Sequence, residues 1–318
     1  KPGSETLLIQ SIIQKMIALK KGELDNIFEG ISSTEYLNNL SELSDEKLYK
    51  YTGISANDID TITSELFNAQ SVSLIYASDN ISETHINNYV NSIIDLTIVS
   101  QNIFVENGGF YPLSQGSNQQ GIIDMGCRSE VLPGHKLITN KDSVNNLIDK
   151  WGVDKFNTNS FDYNEFANLH RNGNLKNIFV IGDIESFSEN HILLDDQLSS
   201  NIDYLITLSP SPSVLLHEMS DYIIPTTLHT EEIGTFTNLE RRIQITDAVT
   251  PTSGDVSPIW HVISQIASKL GSTIFNYTNS SDVMNEISAE INQYNEISHT
   301  KLNSNAKVIL KPQEDNPL

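Results

Sequence analysis

Hydroxyl and amide side chains are concentrated in one stretch of the chain, between Asp221 and Gln244. A short apolar strand over 222–224 should end at Pro225, because proline has no N–H to give to a sheet. The polar residues that follow it are Thr226, Thr227, Thr230, Thr235, Thr237 and Asn238. Ligands of open α/β sheets bind beyond the carboxyl ends of the strands. The stretch therefore predicts a ligand site, with a turn over 234–238 and a second strand after it.

A second polar stretch, GGFYPLSQGSNQQGIIDMG, covers residues 108–126. Gly116 permits a tight turn and the close approach of a ligand. Ser114, Gln115 and Asn118 offer neutral donors and acceptors. No lysine or arginine lies inside the stretch, so an anionic ligand would be held by backbone N–H groups and amides. The alternative interpretation is an ordinary polar surface loop.

The elements that must position these residues alternate between strands and helices. A strand over 176–181 is followed by a turn at Gly182 and Asp183 and by a helix from about 189 to 199, with a cap near Ser188. A strand over 204–208 then ends at Ser209. Earlier in the chain, a strand over 71–76 precedes a helix over 84–100. This alternation predicts an α/β fold with doubly wound, mostly parallel sheets and flanking helices.

The sequence contains no recognisable catalytic motif. The eight histidines form no HxxxH or HxH pair, so no metal ligand is predicted, and no Gly-x-Ser-x-Gly nucleophile motif occurs. The single cysteine, Cys127, is expected to be a small packed residue. Arg241 and Arg242 can hold a phosphate or pair with Glu240 or Glu232. The catalytic residues remain unknown at this level.

Length and charge restrict the class of protein. A chain of 318 residues is long enough for about two domains. Its formal net charge of -22 repels nucleic acid and anionic membrane surfaces. One cysteine cannot form an intrachain disulfide, a CxxC zinc site or an iron–sulfur cluster. No apolar run approaches the length of a membrane span. The chain starts at Lys1 and not at a methionine, so we expect a trimmed or processed piece. No secretory leader is visible, so we expect a cytoplasmic location.

Several segments resemble molybdopterin-dependent oxidoreductases, with formate dehydrogenase catalytic subunits as the nearest type. The segments are KPGSETLLIQSIIQKMI, YTGISANDIDTITSELFNA, GGFYPLSQGSNQQGIIDMG, DYIIPTTLHTEEIGTFTNLERRIQ and PTSGDVSPIWHVISQIASKLG, in the order of the family. The resemblance covers the whole chain, but only the middle of the family's chain. It implies domains over 1–112 (the C-terminal part of one α/β cofactor-binding domain), 113–235 (a second, dinucleotide-binding-like α/β domain) and 236–318 (a return segment that leads to a C-terminal barrel).

The resemblance also implies a cofactor, bis-molybdopterin guanine dinucleotide with molybdenum or tungsten, in the complete protein. No Gly-x-Gly-x-x-Gly fingerprint follows any strand, so a standard NAD domain is not expected. The residues that the resemblance implies for cofactor binding are Ser114, Gln115, Gly116, Asn118, Gly182, Asp183, Ser188, Ser209, Thr226 and Thr237.

The implied partners are the parts of the family's chain that the resemblance does not cover. These are the N-terminal iron–sulfur module, the segment with the molybdenum ligand and the C-terminal barrel, together with electron-transfer subunits. This chain alone is therefore expected to be inactive.

The sequence departs from the family pattern at three positions, with Ser82 for glutamine, Ser114 for arginine and Ile259 for aspartate. These departures favour the main alternative, a cofactor-free scaffold like the large iron–sulfur subunit of respiratory complex I. A weaker alternative is an unrelated α/β domain that binds a small ligand.

Overall fold

The computed structural model describes residues 1–19, 44–77, 81, 83–103, 105–113, 116–161, 163–182, 202–252, 254–304 and 308–310. The chain forms two compact units, Lys1–Gln115 and Gly116–Leu318. The division into 1–112, 113–235 and 236–318 that the resemblance implies stays a prediction. Among the described residues, no helix has both the length and the apolar character that a membrane crossing requires.

The first unit is a helical layer with a short parallel sheet. Its elements are α1 Glu5–Leu19, α2 Asp45–Thr52, α3 Ala56–Asn68, β1 Ser73–Ala77, α4 Glu83–Ser100 and β2 Gly109–Leu113. Helix α3 begins after Ser55, whose hydroxyl accepts the N–H of Asp58 at 3.2 Å. Helix α1 contributes Ile13 and Met16 to a core that also holds Ile59 and Val99. Strands β1 and β2 pair in parallel.

The second unit carries the remaining elements. They are α5 Gln119–Asp124, β3 Val131–Leu132, β4 Lys136–Leu137, α6 Lys141–Trp151, α7 Tyr163–Arg171, β5 Asn177–Ile181, β6 Tyr204–Ser209, α8 Val214–Met219, β7 Tyr222–Pro225, β8 Gly234–Thr237, β9 Arg242–Thr246, α9 Ile259–Lys269, α10 Ser280–Glu290, α11 His299–Asn303 and β10 Val308–Ile309. The predicted helix near 189–199 lies outside the described residues. For each strand predicted over 71–76, 176–181, 204–208 and 222–224, the structure has a strand whose ends lie within two residues of the predicted ends.

A parallel three-stranded sheet, in the order β5-β6-β7, is the central layer of the second unit. Its register pairs Ile181 with Leu208 and Ser209 with Pro225. Side chains alternate along β5, so Ile178 and Val180 are buried, in a cluster to which α7 and α8 also contribute. The α/β class with parallel strands and flanking helices, expected from the sequence, is confirmed.

The second unit also contains an antiparallel sheet, in the order β10-β9-β8. The prediction of a turn over 234–238 is wrong, because residues 234–237 form β8 and pair with β9. The turn lies after β8, where the Asn238 side-chain oxygen accepts the N–H groups of Glu240 and Arg242, each at 3.0 Å. Arg241 completes this turn at a left-handed φ of 61°. Asn238 therefore ends the strand that its neighbours Thr235 and Thr237 belong to.

Candidate functional site

Three residues predicted to bind a cofactor meet at the carboxyl edge of the parallel sheet. The Gly182 N–H donates to the Leu208 carbonyl at 3.0 Å, and the Thr226 N–H donates to the Ser209 carbonyl at 3.2 Å. Gly182 and Thr226 directly follow β5 and β7, and Ser209 is the last residue of β6 between them, so all three lie at one edge of the sheet. This is the position at which α/β sheets bind ligands.

The edge has room and unused hydrogen-bonding capacity. Gly182 has a φ of 118°, and a Cβ built on it would meet no atom of the described residues within 4 Å. The Thr226 hydroxyl is buried and has no hydrogen-bond partner among the described residues. A buried hydroxyl without a partner costs about 1–3 kcal/mol. Thr226 is therefore a good candidate for a ligand contact.

The two polar stretches of the sequence are joined by one hydrogen bond. The Thr237 N–H donates to the Asn118 side-chain oxygen at 2.9 Å, across 119 residues of sequence. Gly121 makes room for this amide, because a Cβ at that position would lie 2.3 Å from the same oxygen. Gly116, with a φ of 90°, lies two residues before Asn118. The structure thus places the SNQQG segment directly beside β8.

A buried carboxylate, Asp124, lies at the end of α5 and was not singled out from the sequence. Its side chain is 0% exposed. It accepts hydrogen bonds from Tyr294 at 2.9 Å and Gln120 at 2.8 Å. His135 lies at 2.5 Å and the Arg241 guanidinium at 3.5 Å. We call these five residues the Asp124 cluster. Its members come from four separate segments, so no local sequence pattern could have revealed it.

The Asp124 cluster supports the Asn118–Thr237 contact. Burial is the main cause that raises the pKa of Tyr294, and the Asp124 charge adds to it, so the phenol stays protonated and can donate. The same phenol oxygen lies 3.4 Å from the Thr237 hydroxyl. Arg241 supplies the opposite charge that a buried carboxylate requires. The cluster is therefore a rigid support behind β8.

The two arginines have different partners. Arg242 pairs with Glu240 at 3.1 Å, as one of the sequence-based alternatives had it. Arg241 turns instead to Asp124 and to the side chain of Gln293, at 3.4 Å. The Nε atoms of both arginines are buried and have no hydrogen-bond partner in the described part of the chain. Phosphate contact by either arginine stays a prediction.

The other predicted site residues divide into two sets. Ser114, Gln115, Asp183 and Ser188 lie outside the described residues. Of the remainder, the structure brings together Gly182, Ser209 and Thr226 at the sheet edge, and it joins Asn118 to Thr237, with Gly116 nearby. Cofactor binding by these residues stays a prediction.

The expectation that Cys127 is a packed residue is wrong, because Cys127 is exposed at the turn that follows α5. Partial burial of its sulfur nevertheless raises the pKa of the thiol, so it is not activated as a thiolate. Within the residues that the structure describes, no group of three or more histidine, cysteine, aspartate or glutamate side chains is arranged to hold a metal ion.

Comparisons with known proteins identify the family to which this chain belongs. The family model described as molybdopterin oxidoreductase matches residues 49–269, which is well over half of the chain. F420-dependent formate dehydrogenase subunit alpha of Methanocaldococcus jannaschii is 27% identical over 313 residues, covering 95% of this chain and 44% of that protein. Putative formate dehydrogenase YrhE of Bacillus subtilis is 25% identical over 292 residues, covering 91% of this chain and 29% of that protein.

A solved structure has the same fold. Acetylene hydratase from Pelobacter acetylenicus superposes with a TM-score of 0.65, over 97% of this chain and 45% of that chain. The two sequences are only 13% identical, so this similarity shows the fold alone. In all three comparisons the chain spans less than half the length of the protein that it matches.

Proposed function

Because this chain belongs to the molybdopterin oxidoreductase family, we propose that it is the cofactor-holding central part of an enzyme of the formate dehydrogenase type. Its role is to bind the dinucleotide arms of a bis-molybdopterin guanine dinucleotide for the two-electron oxidation of a small substrate such as formate. The relatives in Methanocaldococcus jannaschii and Bacillus subtilis carry formate dehydrogenase names, which supports this substrate class.

The observation that carries the proposal is the hydrogen bond between Thr237 and Asn118. It joins the two segments whose sequences most resemble the family, although they are far apart in the chain. Gly121 has no side chain where that bond needs space. This fit between SNQQG and TFTN supports a ligand loop over 108–126 rather than an ordinary polar surface loop.

The residues present suit a nucleotide with phosphates and ribose hydroxyls. The Thr226 hydroxyl, which has no partner within the described ranges, and the Gly182 backbone, which no described atom crowds, lie at the sheet edge. Ser209 lies between them on the central strand, and its oxygen already accepts the Ser211 N–H at 3.2 Å. Uncharged donors of this kind can hold diphosphate and ribose groups. When bound, the cofactor supplies the metal-centred two-electron chemistry, and this chain supplies binding and orientation.

The complete enzyme would need further parts. We propose an iron–sulfur module, a segment with the metal ligand, a C-terminal barrel and electron-transfer subunits as partners, in the cytoplasm. We assign no catalytic residue to this chain. It would therefore hold the cofactor and would not turn over substrate alone.

A second candidate function is a cofactor-free scaffold with the same fold. It is favoured by Ser114, which stands where formate dehydrogenases have an arginine. A serine cannot offer the bidentate cationic contact that an arginine gives to a carboxylate or phosphate. The metal and nucleotide content of the protein distinguishes the two functions.

The test is to purify the full-length natural protein without oxygen and to measure molybdenum, tungsten and guanosine monophosphate released by acid. We expect stoichiometric metal with guanosine monophosphate. The Thr226→Val and Asn118→Ala variants should each lose at least half of the bound metal and half of the guanosine monophosphate. The Thr273→Val variant, changed at an exposed site, should keep the wild-type content of both. A folded protein with no metal and no nucleotide, from cells that make the cofactor, would establish the scaffold function instead.

A further inference from the structure

A pocket lies between α6 and α10 in the second unit, and none of the residues that we propose for cofactor binding lines it. It encloses about 170 Å³. The lining residues with apolar side chains are Met125, Leu132, Pro133, Leu147, Trp151, Tyr277, Val283, Ile287 and Ile291. Two of these, Leu132 and Ile291, belong to the buried cores beneath it. The pocket is therefore a fixed feature of the packing between two helices and the β3–β4 hairpin.

The size of the pocket indicates the size of its occupant. An engineered apolar cavity of about 150 Å³ in another protein stays dry and binds benzene. A pocket of 170 Å³ with mainly apolar walls therefore suits one aromatic ring. Trp151 and Tyr277 supply aromatic surface for edge or offset contacts with such a ring.

The charges around the pocket argue against a charged occupant. Lys150 and Glu290 form an ion pair with each other. The Tyr277 hydroxyl donates to Glu286 at 2.6 Å, and burial together with Glu286 raises the pKa of this tyrosine, so it remains a donor. Lys136 is the fourth charged residue of the lining. The two positive and two negative side chains cancel, which leaves no net charge to compensate that of an ionic ligand.

One polar group on the occupant would still find partners. A hydroxyl can donate to a carboxylate such as Glu286 and accept from an ammonium such as Lys136. A carboxylate or an ammonium on the occupant would lie near both Lys136 and Glu286, so attraction by one of these side chains is offset by repulsion from the other. The chemistry of the lining thus favours a neutral group over either ion.

We propose that this pocket is a binding site for a small uncharged molecule that consists of one aromatic ring with a single hydroxyl group. The proposal is independent of cofactor binding, because the pocket and the proposed cofactor residues have no residue in common. Such a site gives the protein a specific affinity for phenolic or benzylic alcohols.

The test uses benzyl alcohol as the probe, with benzoate and benzylamine as charged probes of the same size. Saturation-transfer NMR and tryptophan fluorescence, to which Trp151 contributes, are recorded on the full chain. We expect a dissociation constant on the order of 1 mM or lower for benzyl alcohol. Benzoate and benzylamine should bind at least tenfold more weakly.

Two variants that fill the pocket test whether benzyl alcohol binds inside it. Val283→Phe and Leu147→Phe each put a ring inside it, and each should weaken benzyl alcohol binding at least tenfold. Val249→Phe, at a 75% exposed position outside the pocket, should leave binding unchanged. If one of these two variants does not unfold cooperatively and is therefore not folded, the binding measured with the other variant tests the proposal. No binding of benzyl alcohol, tighter binding of either ion, or binding that a folded filling variant leaves intact would overturn the proposal.

Discussion

Tyr294 donates its hydroxyl to the Asp124 carboxylate at 2.9 Å, although 170 residues separate the two in the sequence. Asp124 ends α5, which begins just after Asn118, and Tyr294 follows α10. The same phenol oxygen is close to Thr237. One phenol oxygen thus contacts both the segment that carries SNQQG and the strand that carries TFTN, the two segments on which the proposed cofactor site depends.

We expect Tyr294→Phe to lower the free energy of unfolding by about 1–3 kcal/mol, because it leaves a buried carboxylate oxygen without a donor. Urea denaturation at pH 7 measures this. Tyr222→Phe is the matched control, because Tyr222 is 57% exposed and should cost less than about 0.5 kcal/mol. Equal effects of the two substitutions would mean that the Tyr294 hydroxyl stabilises nothing.

Asp124→Asn should cost more than Tyr294→Phe, on the order of 3 kcal/mol, because it removes the charge that balances Arg241 and presents an amide N–H to other donors. Asp154→Asn, at an exposed position, provides the comparison. Thermal and urea unfolding of both variants give the difference. An Asp124→Asn variant as stable as the wild type would show that the charge of this carboxylate does not stabilise the fold.

Gly121→Ala should destabilise the chain by about 1–3 kcal/mol, since the new methyl group would sit 2.3 Å from the Asn118 oxygen. Gly234→Ala is the control, because no atom in the described part of the chain lies within 4 Å of the added methyl group there. Urea denaturation of both variants tests whether the Asn118 amide is held as tightly as the structure shows. Equal stability of the two alanine variants would contradict this arrangement.

Thr226→Val should keep or slightly raise the free energy of unfolding of the cofactor-free chain, because it replaces a buried hydroxyl without a partner by a methyl group. Thr237→Val, which removes the hydroxyl beside Tyr294, should cost about 0.5–1.5 kcal/mol. Urea denaturation of the two variants measures this difference in the free energy of unfolding. A marked loss from Thr226→Val would show that its hydroxyl has a partner within the chain.

Glu232 should make stability depend on pH. Burial is the main cause that raises its pKa above 4.5, and Thr227 and His229 only partly oppose this. A raised folded-state pKa gives stability that is complete below the unfolded pKa and is lost as pH rises through the folded value. Glu232→Gln should therefore melt higher than the wild type at pH 7, with the difference shrinking towards pH 4. Glu218→Gln, at an exposed position, should show no such trend.

The strands and the sheet edge were predictable because their signals are local. The strand expected over 204–208 occupies 204–209, and the runs of apolar residues before Gly182 and Pro225 mark their neighbours. Parallel pairing then brings Gly182, Ser209 and Thr226 to one edge without any further information.

The Asp124 cluster was not predictable, because its members are brought together only by tertiary structure. Asp124, His135 and Tyr294 have no periodic spacing and no shared motif. The turn assigned to 234–238 failed for a different reason. Gly234 suggested a break, but the pairing of Thr235 and Thr237 with β9 overrode that local preference, and Asn238 supplied the turn instead.

The wide sequence separation within the Asp124 cluster has a consequence for the order of folding. Its contacts with Arg241 and Tyr294 close loops of more than 100 residues. The entropy of closing such loops makes these contacts late events, formed after the local helices and hairpins. Loss of the cluster should therefore act mainly by speeding unfolding, with little change in the refolding rate. The residues around Asp124 would then set how long the native fold persists, even though they do little to start it.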